Sequence, residues 1–81
     1  MNLQEGGIRV RENAKFDIPL ISIVTVTFNA EKYLKECIQS VRNQPFKSIE
    51  HIIIDANSTD KTISILKEYE NQIDYWRSEP D

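Results

Sequence analysis

The chain has 81 residues, 40% hydrophobic and 28% charged, which suits one small globular domain and excludes a disordered polymer. Its net charge of −3 and pI near 5.1 leave no basic footprint for nucleic acid or an anionic membrane surface. A single cysteine, Cys37, rules out an intrachain disulfide and a zinc site built on cysteine pairs, and no apolar stretch approaches the ~20 residues that span a bilayer.

Residues 1–18 are polar and hold both glycines, Gly6 and Gly7. They read as a partly disordered leader or arm, with a short extended piece around residues 8–10. No secretory signal pattern is present, so a cytoplasmic location is the expectation. Pro19 opens the ordered domain, residues 19–81.

Residues 20–28 are rich in β-branched and aromatic side chains, which predicts a strand buried on both faces. Asn29 follows as an N-cap. Ala30, Tyr33, Leu34, Cys37, Ile38 and Val41 then form one stripe of an amphipathic helix, which Pro45 ends. Residues 49–54 predict a second buried strand ending at Asp55. Ser58 or Asp60 caps a second helix with Thr62, Ile63, Leu66 and Tyr69 inward. Residues 73–77 predict a third strand, with Ser78-Glu79-Pro80-Asp81 as the turn after it.

The order is β-α-β-α-β. Such alternation predicts an α/β fold with parallel strands, a Rossmann-like three-layer sandwich. In an open parallel sheet, ligands bind beyond the carboxyl ends of the strands. Three polar segments reach that edge: Thr27-Phe28-Asn29, Asp55-Ala56-Asn57-Ser58 and Ser78-Glu79-Pro80-Asp81. Asp55, at the tip of Ile52-Ile53-Ile54, reads as a carboxylate that holds a ligand rather than the fold. The constellation looks like half of a nucleotide site. No Gly-rich turn follows the first strand and no Gly-Lys-Ser/Thr loop exists, which disfavours a dehydrogenase or an ordinary NTPase.

These residues carry a resemblance. The run from Ile21 to Asn29, the helix from Tyr33-Leu34 to Gln44, the segment Asp55-Ala56-Asn57-Ser58-Thr59-Asp60-Lys61-Thr62 and the final Ser78-Glu79-Pro80-Asp81 are similar, in order and spacing, to the start of a family 2 glycosyltransferase. The resemblance covers residues 19–81 and implies the N-terminal, nucleotide-binding half of a GT-A domain. It implies a nucleotide-diphosphate sugar donor of the UDP- or GDP-sugar class. Thr27, Phe28 and Asn29 would border the nucleotide, Asp55 would receive the base or ribose, and Asp81 would lie near the same pocket. Asp60 would cap or charge the second helix.

The family's Asp-x-Asp motif, which holds Mg2+ or Mn2+, and its catalytic base would fall after Asp81. The 81 residues are therefore expected to be inactive alone, to bind no metal and to hold no catalytic residue. The longer family enzyme would transfer sugar to a hydroxyl in polysaccharide, cell-wall or glycolipid synthesis, at the inner membrane surface. The alternative is a non-catalytic nucleotide-binding or scaffold remnant of the same shape. A receiver-like module ranks lower, because the first strand ends in Thr-Phe-Asn rather than paired acids.

Plainer roles stand beside these. Asn29 and Ser58 are good caps, Cys37 is a small core residue, and His51 has no partner at metal spacing and reads as structural. A bare sheet edge is expected to promote self-association.

Overall fold

The computed structural model describes residues 3–8, 21–45 and 49–80. Asp81 and most of the leader, including Val10, lie outside the described residues. The elements in chain order are β1 (Gln4–Gly6), β2 (Ile21–Thr27), α1 (Leu34–Arg42), β3 (Ile49–Asp55), α2 (Thr62–Glu68), a 3-10 turn (Glu70–Gln72) and β4 (Tyr75–Ser78). The sheet runs β1-β4-β3-β2.

The expected β-α-β-α-β run is present as β2-α1-β3-α2-β4, with β2 parallel to β3 and β3 parallel to β4. The register pairs Thr27 with Asp55 and Asp55 with Ser78, so the three strand ends finish level. A fourth strand was not foreseen. β1 comes from the leader and pairs antiparallel with β4, Gly6 opposite Trp76. It lies at residues 4–6, ahead of the extended piece expected around residues 8–10.

The two glycines make this docking possible. A Cβ on Gly6 would lie 2.6 Å from the Trp76 indole nitrogen. Gly7 adopts φ +104°, where a side chain is strained, and a Cβ there would meet the Ile73 and Asp74 carbonyl oxygens at 2.9 Å.

Both helices cover one face of the sheet. Leu34 and Ile38 of α1, Leu66 of α2, Ile53 of β3, and Ile73 and Trp76 form a single buried cluster. The reason is topological. Three parallel strands in sequential spatial order, joined by right-handed connections, send both helices to the same side. Among the described residues the sandwich therefore has two layers, where three were expected.

The other face is open. Val24 is 58% exposed and Val26 75% exposed, which corrects the reading of this first parallel strand as buried on both faces. Its residues alternate instead, with Thr25 and Thr27 toward the helices.

α1 begins at Leu34, not directly after Asn29, because residues 31–33 form a turn in which the Tyr33 and Leu34 amides both donate to the Ala30 carbonyl. Glu36 in its first turn and Arg42 in its last suit the helix dipole. β4 starts two residues later than expected, after the 3-10 turn has carried the chain back to the sheet. His51 is buried, its Nε2 lies 2.8 Å from Thr25 Oγ1, and its backbone amide donates to Asp74 Oδ2, which fits a structural role.

Candidate functional site

Asp55 ends β3 and is 1% exposed. Its carboxylate accepts four hydrogen bonds. Thr27 Oγ1 (2.7 Å) and Ser58 Oγ (2.6 Å) donate to Oδ1. The Ser58 amide (2.9 Å) and Ser78 Oγ (2.7 Å) donate to Oδ2. An ionised carboxylate offers about four lone-pair sites, so all are filled from within. The donors come from the ends of β2 and β4 and from the loop after β3. Asp55 thus ties the three strand ends together, which the reading of a ligand-holding residue alone did not anticipate.

Burial by itself would raise the Asp55 pKa. The donated hydrogen bonds from Ser58, Thr27 and Ser78 outweigh it and hold the carboxyl below its ordinary value. Asp55 is therefore an anion at neutral pH, stabilised by charge-assisted bonds.

A second set of bonds latches the two loops at this edge. Asn29 adopts φ +49°, a left-handed conformation that asparagine tolerates. It is not the cap of α1. Its Oδ1 accepts the Thr59 amide at 2.8 Å and the Asp60 amide at 3.4 Å, while its own amide donates to Ser58 Oγ. The Ala30 amide donates to Thr62 Oγ1 and the Glu31 amide to Asp60 Oδ2.

Ser58 is spent on Asp55 and Asn29 and does not cap α2. Asp60, one residue before the N-cap Lys61, instead accepts the amide of Thr62, the first residue of that helix, at 2.8 Å. Burial would raise the Asp60 carboxyl, but the Thr62 hydroxyl and amide bring it down.

Beside this knot, on the open face, lies a shallow cavity of about 340 Å3 lined by Val26, Ile54, Asp55, Ala56, Arg77, Glu79 and Pro80. Phe28, 63% exposed, follows β2 at the same edge of the sheet. Of the expected site residues, the structure brings together Thr27, Asn29 and Asp55 and leaves Phe28 exposed nearby. Ala56 and Glu79 belong to the polar segments expected at this edge, whereas Val26 and Arg77 were not singled out from sequence. The signal available for them was the alternation of β2 and β4, which, combined with sequential strand order, predicts a face without helices.

Among the described residues no group of three His, Cys, Asp or Glu side chains gathers at metal-binding distance, and Asp55 has no lone pair left to offer. The described residues do not fit a metal. No described helix is long and apolar enough to cross a membrane.

The strand-end carboxylate and the loops latched around it lie together at the carboxyl edge of the parallel strands. Residues 22–79 match the family model "Glycosyl transferase family 2". The chain belongs to that family. An uncharacterized glycosyltransferase of Mycobacterium tuberculosis is 41% identical over 64 residues, 78% of this chain and 24% of that protein. A Methanococcus voltae dolichyl N-acetyl-alpha-D-glucosaminyl phosphate 3-beta-D-2,3-diacetamido-2,3-dideoxy-beta-D-glucuronosyltransferase is 43% identical over 54 residues, 64% of this chain and 17% of that protein. A GalNAc(5)-diNAcBac-PP-undecaprenol beta-1,3-glucosyltransferase of Campylobacter jejuni is 37% identical over 57 residues, 70% of this chain and 18% of that protein. The chain spans a quarter or less of the length of these relatives.

Proposed function

We propose that this chain is the donor-binding part of a glycosyltransferase that takes sugar from a nucleotide-diphosphate sugar of the UDP or GDP class. The observation that carries this is the cavity at the level carboxyl ends of β2, β3 and β4, where the fold class places its ligands. In this reading Phe28 and the open-face cavity border the nucleotide. Thr27, Asn29 and Asp55 hold the three segments around it. By the family resemblance, Asp81 would lie near the same pocket.

The whole protein's reaction is transfer to a hydroxyl. Two relatives are named for lipid-linked glycans, one dolichyl and one undecaprenol. They support a lipid-linked acceptor for this protein, and with it a place beside a membrane. A divalent metal, Mg2+ or Mn2+, and the catalytic base would come from outside these 81 residues.

The test is titration of the chain with UDP- and GDP-sugars, followed by amide chemical shifts. Shifts centred on Val26, Phe28, Ala56 and Arg77 support the reading. No shift with any donor sinks it and leaves a scaffold of the same shape.

A further inference from the structure

Two carboxylates line the open-face cavity, Asp55 and Glu79. They are not equivalent. The lone pairs of Asp55 are filled by four donors of the chain itself, so a ligand could bond it only by displacing one of them. Glu79 has its side chain 31% exposed, and among the described residues its ion pair is to Arg77 Nε at 3.6 Å, longer than a hydrogen bond. A partly exposed pair of this kind is weak and easily exchanged for a ligand.

Glu79 is also well placed. Its amide donates to the Asp55 carbonyl at 3.2 Å, which carries the β3–β4 pairing one residue past Ser78. Pro80 fixes the next φ. The rest of the lining, Val26, Ile54, Ala56 and Pro80, is apolar and offers a flat contact for a ring.

The charge balance says which part of a nucleotide fits. Two carboxylates face one guanidinium, so the cavity repels a diphosphate and suits the neutral nucleoside. Resting on the donor-binding reading above, we infer that Glu79, not Asp55, is the specificity-determining carboxylate, accepting a hydrogen bond from an N–H or O–H of the nucleoside.

The experiment titrates uridine, guanosine, UDP and GDP into the wild-type chain and its E79A and E79Q variants, with melting temperatures measured alongside. E79A is expected to weaken the bound nucleoside at least about tenfold, the factor for one lost bond to a charged acceptor. The loss is the same factor for nucleoside and diphosphate, and the melting temperature is unchanged. E79Q, which keeps a carbonyl acceptor, recovers part of the affinity. Unchanged binding in E79A, or a loss confined to the diphosphates, overturns the assignment while the donor-binding reading stands. A wild-type chain that binds none of the four removes the donor-binding reading and this assignment with it.

Discussion

Thr27 Oγ1 donates to Asp55 Oδ1 at 2.7 Å across the register pair that these two residues form at the ends of β2 and β3. Both are buried, so the bond forms away from water and joins the ends of two parallel strands. Thr27→Val removes one donor of similar shape and is expected to cost about 1–2 kcal/mol in urea unfolding. Asp55→Ala leaves three buried hydroxyls and an amide without their acceptor and is expected to cost about 3 kcal/mol. Equal stability of Asp55→Ala and wild type would show that the knot does not hold the edge together.

Acid should destabilise the fold in two steps. Burial lowers the His51 pKa from its ordinary 6.5, against an opposing pull from Asp74. Stability from the neutral ring is full above 6.5 and declines as pH falls toward the lowered folded value. The Asp55 pKa is lowered from 3.8, so its share of stability is full above that value and is lost as pH falls through the folded one. Melting temperatures across pH 7 to 2 should show both declines. His51→Leu should abolish the upper one and leave the lower.

The Asn29 latch makes a local prediction. Asn29→Gly keeps the left-handed backbone but loses the acceptor for Thr59 and Asp60. Hydrogen exchange of those two amides should speed up by roughly fivefold, the factor that ~1 kcal/mol gives. Amides in the middle of β3 should be unaffected. Unaltered exchange at Thr59 would mean that the loop is held by other bonds.

The open face predicts association. Val24, Val26 and Phe28 are all more than half exposed, and β2 is an edge strand. Sedimentation of the 81-residue chain should show concentration-dependent self-association, and Val26→Lys should suppress it. A wild-type chain that stays monomeric at every concentration contradicts this.

The α/β class and the parallel run were legible because they depend on local signals, the β-branched runs and the i, i+3, i+4 stripe of Leu34, Ile38 and Val41. Asp55 was legible as special because a carboxylate rarely ends an apolar run. Its partners were not. Ser78 and Thr27 meet it only through strand register, which no short-range pattern encodes. Asn29 misled for a similar reason. Capping is its commonest local role, and its actual partners lie 30 and 31 residues away. The strand at Gln4–Gly6 was hidden because its place is set by Trp76, at the far end of the chain, and glycines in a polar segment ordinarily signal a turn.

That last pairing governs how the molecule can be made. Gln4 sits opposite Ser78, so β1 finds its neighbour only after β4, the last of the described strands in chain order, has been made. Until β4 emerges, the leader has no edge to join and Trp76 has no cover from Gly6. A fusion partner placed ahead of Gln4 would stand one strand from the residues that bond Asp55, and it would be carried to the edge proposed to receive the donor.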